Sequence, residues 1–183
     1  MAKGRSSGGG FGKILLGFVL GIVVLAGAVT VYLRWGTPPV ATADEPFPFE
    51  KVIVSVPLDA RIARQIQQPP FGIGEDVYEG GAKIYMAECA ACHGTPGKDV
   101  RFAKYMYPQP PQLWKKHAKG NVVGVSDDEP GETYWKVANG IRLTGMPAFN
   151  HVLSDTQMWQ VTLLVKNANQ ELPDPVTKIL AAR

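Results

Sequence analysis

The chain has 183 residues, room for one modest domain with appendages, and a formal net charge of +3 at neutral pH. That excess comes from the N-terminus: Lys3, Arg5, Lys13 and Arg34 precede residues 36–183, which hold fifteen basic and sixteen acidic groups. Such a balance gives no support to a basic nucleic-acid-binding face.

Residues 1–13 read as a short tail, Gly/Ser-rich and disordered around residues 4–10. Residues 14–33, twenty in all, then run without a charge, interrupted only by small residues, Thr30 and Tyr32. At helical rise this length matches the ~30 Å hydrocarbon core of a bilayer, so residues 14–35 are expected to form a transmembrane anchor. Three basic residues lie before it and no acidic residue occurs before Asp44. The positive-inside rule therefore keeps the tail cytoplasmic and sends the remainder across, with Tyr32 and Trp35 at the far interface. A cleaved signal peptide is the rival, since Ala26-Gly27-Ala28 and Ala41-Thr42-Ala43 both have the small-x-small form. Cleavage after Ala28 leaves an apolar stub reaching Leu33. Cleavage after Ala43 requires an apolar run longer than a signal h-region, with Arg34 in the approach. The uncleaved anchor is the better reading, and both readings export the remainder of the chain. Gly17 and Gly21 have the spacing that lets two anchors pack closely, although in a Gly-rich helix the pattern says little.

Residues 36–50 contain Thr37-Pro38-Pro39 and Glu45-Pro46-Phe47-Pro48-Phe49, the composition of an extended, semi-rigid, Pro-rich stalk. Residues 51–74 form a pre-domain segment without an assigned role. Within it, residues 51–56 alternate weakly, as a short strand or extended chain does, and residues 58–68 suit a short helix stopped by Pro69-Pro70.

A helix is expected over residues 76–88, with Val77, Gly81, Ile84, Tyr85 and Glu88 near one stripe. It leads into Cys89-Ala90-Ala91-Cys92-His93, and C-x-x-C-H is the attachment sequence of a c-type haem. Two thiols on adjacent faces of one turn can form thioethers to the two vinyl groups of one porphyrin, and the next histidine can serve as proximal axial ligand. The chain has no other cysteine. A redox dithiol belongs near a βαβ pattern, and a structural zinc needs four ligands, typically with a second closely spaced pair. His117 and His151 stand isolated.

The proline-dense residues 105–114 can be neither regular helix nor central strand. Ser126-Asp127-Asp128-Glu129 resembles a capping box opening a helix over residues 129–139, stopped by Gly140, with Tyr134 and Trp135 walling the haem or the core. Asn139-Gly140-Ile141-Arg142-Leu143-Thr144-Gly145-Met146-Pro147-Ala148-Phe149 follows, holding Met146 between Gly145 and Pro147. Core-filling methionines normally lie on periodic faces. A thioether in such a turn suits the distal side of a low-spin haem, and His/Met ligation raises the reduction potential. His117, His151, Met86, Met106 and Met158 lack a comparable loop context. A last helix over residues 155–167 opens on Ser154-Asp155-Thr156-Gln157, a capping-box pattern. Met158, Val161, Thr162 and Val165 share one stripe of it, and Trp159, Leu163 and Lys166 the next.

CAACHG at residues 89–94, together with NGIRLTGMPAF at residues 139–149, resembles the small monohaem cytochromes c with histidine–methionine ligation. The likeness spans residues 75–168. It implies a mainly α chain: a haem domain of three to five short helices with long loops at residues 75–170, preceded by the anchor and followed by a C-terminal tail at residues 171–183. It implies one haem c, bound through Cys89 and Cys92, with His93 and Met146 on the iron. It further implies a close crossing of first and last helices, for which Gly81 and Tyr85 against Trp159 and Leu163 are the candidates. A prolyl carbonyl from Pro108, Pro110 or Pro111 is expected to accept a hydrogen bond from the proximal histidine. Bacteria attach such haems outside the cytoplasmic membrane, which agrees with the anchor and puts the domain on the periplasmic face of the inner membrane.

With both axial positions filled by protein, no coordination site is left for a substrate, and one-electron transfer is the natural work. No G-x-S-x-G, H-E-x-x-H or Walker sequence occurs, so neither a catalytic residue nor a small-molecule substrate is expected. The reading is a membrane-tethered cytochrome in a respiratory or related electron-transport chain, its tether raising its effective concentration near redox partner proteins. The alternative is a fixed haem c subunit of a larger membrane oxidoreductase complex, quinol-oxidising or a terminal reductase, which residues 51–74 and the anchor favour. A haem sensor or enzyme with an open distal position needs Met146 off the iron, and a dithiol or metal module predicts no colour. Lys115-Lys116-His117-Ala118-Lys119 is the only dense basic patch and a candidate docking site. Arg101, Arg142, Trp114 and Trp135 are candidates for contacts with the haem propionates.

Overall fold

An apolar stretch satisfies its backbone most simply by coiling. In the computed structural model, which describes residues 9–182, it does so as one helix, α1 (Gly9–Trp35). Its 27 residues span roughly 40 Å at 1.5 Å per residue, long and apolar enough to cross a membrane. The expected tail lies outside the described residues as far as residue 8, while residues 9–13 prove to be helical. Helix propagation adds a hydrogen bond for each residue fixed, so a strong apolar helix extends into a permissive flank. At the other end Gly36 N–H donates to Tyr32 O at 2.8 Å, and prolines follow. In the linker beyond, the Asp44 carboxylate accepts from the N–H groups of Val40 and Ala41 at 2.9 Å each, holding a turn. This unit ends at Phe47, and a second begins at Pro48.

The second unit opens with a departure from expectation. Residues 51–56 are neither strand nor extended chain but the first half of α2 (Glu50–Gln65). Alternation is a weak instruction when no strand is available to pair with, and the described residues contain only isolated bridges. A lone strand leaves its backbone unpaired, whereas a helix satisfies its own, even at the cost of the bond missing at Pro57. The helix takes Glu50 from the end of the expected stalk.

The helix expected at residues 76–88 is α3 (Glu75–Ile84), and it continues without a break through a π-turn (Tyr85–Cys89) into α4 (Ala90–His93). Val77, Tyr78, Gly81, Ala82, Ile84 and Tyr85 form its buried face, while Glu88 is exposed. α5 (Pro130–Asn139) begins with proline at its first position and stops at Gly140, whose φ of 64° favours glycine. The capping box expected at Ser126 is not formed: its hydroxyl accepts from Val123 N–H in a turn four residues ahead of the helix, and Glu129 caps without its side chain.

α6 (Asp155–Lys166) has the full capping box, with Ser154 Oγ accepting from Gln157 N–H and Gln157 Oε1 accepting from Ser154 N–H. Both of its expected stripes are buried except for the half-buried Lys166, since α3 and α5 both pack on this helix. α3 and α6 do cross closely, and the atoms nearest to Gly81 belong to Gln160 and Leu164. A Cβ on Gly81 would lie 2.5 Å from Gln160 O and 3.1 Å from Leu164 Cβ. Trp159 instead stacks on Tyr134 of α5, ring centroids 4.1 Å apart, and Tyr85 sits edge-on to Trp114 at 5.6 Å.

The sequence expected as a C-terminal tail contains α7 (Asp174–Ala181), which packs on α3 and buries Val176 and Leu180. These two side chains, one helical turn apart, join Tyr85, Met158 and Leu164 in a single core. Burying each aliphatic side chain is worth about 1.5–3 kcal/mol, enough to fix an eight-residue helix that cannot hold itself alone. The second unit is thus wholly helical in its regular structure, with the long loop 94–129 and the turn 140–148 between its helices.

Candidate functional site

The π-turn places the two thiols. One extra residue per turn over Tyr85–Cys89 rotates the helix just before Cys89, Cys92 and His93; such turns recur at functional sites. The rod ends at Gly94, whose φ of 77° suits glycine and whose carbonyl accepts from the buried Tyr85 hydroxyl at 2.7 Å. Cys89 and Cys92 are not joined in a disulfide, and burial is the main cause that pushes the Cys89 thiol up to about 12.

Of the three candidate prolines, Pro111 meets the histidine. His93 Nδ1 lies 2.8 Å from Pro111 O. With Nδ1 donating, Nε2 is the nitrogen left to bind a metal, and a carbonyl partner fixes the ring and strengthens it as a ligand. Burial lowers the imidazole's proton affinity and the Pro111 bond only partly opposes this, so the ring is held neutral, as ligation requires.

Gln112 secures this arrangement, and nothing in the sequence marks it. Its Oε1 accepts from Val100 N–H at 2.7 Å, and its Nε2 donates to Cys92 O at 3.1 Å and Pro110 O at 3.3 Å. Leu113 N–H adds a bond to His93 O at 3.0 Å. The proline loop is therefore tied directly to the C-x-x-C-H turn.

Met146 is held by its own short circuit. Thr144 Oγ1 donates to Ile141 O at 2.7 Å and accepts from Met146 N–H at 3.1 Å, while Ile141 N–H donates to Met146 O at 3.3 Å.

Cys89, Cys92, His93 and Met146 all line one cavity of about 340 Å³, the size of a small-molecule or cofactor pocket. Met106 lines it too, although its sequence context gives no sign of that. His117 and His151 are exposed, Met158 belongs to the core, and Met86 and Met146, both half-buried, pack against it. None of Arg101, Arg142, Trp114 and Trp135 lines the cavity. Trp135 donates to Gln65 Oε1 at 2.9 Å, and Trp114 lies against Tyr85, edge-on at 5.6 Å. Thr133, Lys136 and Val137 of α5 form a further wall, as does Asp128. Burial is the main cause raising the Asp128 carboxyl above its ordinary value, and Lys136 opposes it. The expected haem c suits these residues: two free thiols, a neutral imidazole with one open nitrogen, and thioether sulfurs face one predominantly apolar space.

A second, open cleft of about 1050 Å³ shares Gln109, Pro110 and Pro111 with the first, and Arg101, Lys104, Lys115 and Lys116 line it.

A family model described as cytochrome c oxidase, cbb3-type, subunit III matches residues 76–164, from the start of α3 to near the end of α6. No curated protein matches the chain.

Proposed function

We propose a role from one premise: residues 76–164 are a c-type cytochrome domain, which carries covalently bound haem c and moves electrons between redox partners. In this reading Cys89 and Cys92 would tether the haem covalently, and His93 Nε2 and the Met146 thioether would hold its iron. Bound haem c supplies a reversible one-electron couple. Pro111 O orients the imidazole, the Thr144 circuit presents the thioether, and the apolar walls keep water out. The observation that carries this reading is the convergence of both thiols, His93 and Met146 on a single cavity.

Replacing Met146 by Ala is expected to leave haem attached, lower the reduction potential and let the ferrous protein bind carbon monoxide. Met106→Ala is expected to change none of these. An unchanged potential in Met146→Ala, or the loss appearing in Met106→Ala instead, refutes the assignment.

We further place the domain on the periplasmic face of a bacterial inner membrane, in a respiratory or related chain. α1 and the three basic residues before its apolar run support this. Residues 98–119 hold six basic groups and one acidic group, a concentration that suits an acidic redox partner at the open cleft.

A fixed subunit of a larger oxidoreductase is the second reading. It is favoured by the description of the matching family and by Val52, Ile53, Val54 and Val56, which are all exposed on α2. Gentle solubilisation followed by native sizing decides between them: the haem migrates alone for a shuttle, or with larger subunits for a complex.

A further inference from the structure

We infer that α2, which lies outside the family match, is the outer wall of the haem cavity and sets the reduction potential through Leu58 and Asp59. The inference rests on the cavity being the haem site, as proposed above. Leu58 and Asp59 line that cavity together with Cys89, His93 and Met146. They are the only residues before α3 that do so among the described residues.

The C-terminal half of α2 is fastened in place by independent contacts. Ile62 is buried, only 4 % exposed. Gln65 Oε1 accepts from Trp135 Nε1 at 2.9 Å, and the Arg61 guanidinium lies 5.9 Å from the centre of the same ring. Just beyond the helix, Gln68 Nε2 donates to Glu129 Oε1 at 3.1 Å. At Gly131 a Cβ would run into Gln67 O and lie 2.6 Å from Ile66 Cγ1, so the chain leaving α2 rests directly on α5. α5 itself walls the cavity through Thr133, Lys136 and Val137. The fastening and the wall are therefore one structure.

The two side chains act on the potential with opposite signs. Oxidation adds one positive charge at the iron, and a charge is favoured by water and by nearby anions. Leu58 is half-buried, and the apolar area it lays over the cavity is kept from water, which favours the reduced form and raises the potential. The Asp59 carboxylate, exposed and therefore partly screened by water, favours the oxidised form and lowers it by less. Burial and local charge are both recognised levers on haem potential.

The test uses the full-length, detergent-solubilised holoprotein and its Leu58→Asn, Asp59→Asn and Gly131→Val variants, in potentiometric titrations with absorption spectra recorded throughout. Leu58→Asn is expected to lower the reduced-to-oxidised ratio at a fixed poise, each ~59 mV of a one-electron couple moving that ratio tenfold. Asp59→Asn is expected to raise it. Gly131→Val is expected to lower it and to speed amide hydrogen exchange over residues 58–66, a measurement that does not depend on redox activity. Opposed shifts at adjacent residues cannot come from general loosening, which moves both the same way. Shifts of one sign in both α2 variants, or unchanged ratios with a wild-type spectrum, overturn the inference. A wild-type protein whose ferrous form binds carbon monoxide overturns the ligand assignment instead. Should Gly131→Val not fold, the two α2 variants still decide the matter.

Discussion

Replacing Gln112 by Leu removes three side-chain hydrogen bonds while nearly conserving volume. Two of them, to Val100 N–H at 2.7 Å and Cys92 O at 3.1 Å, are short enough to matter; the third, to Pro110 O at 3.3 Å, adds little. Leaving a buried donor or acceptor unpaired costs about 1–3 kcal/mol, and Gln112 is only partly buried, so the lower end applies to each. The expected loss is about 2–3 kcal/mol. For a unit of this size that corresponds to roughly 10 °C in thermal midpoint, read by circular dichroism on the holoprotein. Gln112→Glu is a second probe. It keeps an acceptor for Val100 N–H but turns an oxygen towards Cys92 O, so it should lose at least as much above the carboxylate's titration range as Leu does. If Gln112→Leu melts within about 3 °C of the parent protein, the side chain is not what ties the proline loop to the haem-binding turn.

Other consequences come from the packing and the charges. Gly81→Val drives a side chain into Gln160 O, 2.5 Å from where the Cβ must sit. It should cost at least the ~1–3 kcal/mol typical of overpacking, seen as a lower guanidinium midpoint; an unchanged midpoint contradicts the α3–α6 crossing. Asp128 has a raised carboxyl affinity for protons, so the folded state holds that proton more tightly than the unfolded chain does. Its unfavourable contribution is absent at low pH and sets in as pH rises through the ordinary carboxylate range. Asp128→Asn is therefore expected to raise the melting midpoint at pH 7 but not at pH 3, and a gain at pH 3 alone would reverse the sign of the reasoning. Finally, Lys104→Glu with Lys116→Glu should slow oxidation of the ferrous protein by ferricyanide and flatten its salt dependence, without slowing oxidation by a cationic cobalt complex. Equal effects on both reagents argue against a basic docking cleft.

What can be read in the sequence is what chemistry forces to be contiguous. The C-x-x-C-H spacing serves one porphyrin edge, so it survives in five adjacent letters, and the Ser154–Gln157 capping box needs only one turn to be recognised. The proline contact is half legible. Residues 105–114 name three candidates, but only the loop's path, fixed by Gln112 across twelve and twenty positions, selects Pro111. Tyr134 and Trp135 show the same limit: adjacent on one helix, they part company, one stacking in the core and the other reaching Gln65.

The two helices that the local pattern misjudges lie on either side of the family match. α7 has only Val176 and Leu180 to signal a buried face, and their value depends on α3 being there to receive them. α2 begins with β-branched alternation, yet a strand needs a partner that this chain does not offer among its described residues. Both are tertiary decisions, made by surfaces far away in sequence. α2 is also the element that brings Leu58 and Asp59 to the cavity. The C-x-x-C-H turn therefore lies within the matched residues, while Leu58 and Asp59, which line the same cavity, lie outside them. On the inference drawn for Leu58 and Asp59, two cytochromes with the same C-x-x-C-H turn hold different potentials when different side chains pack over the site.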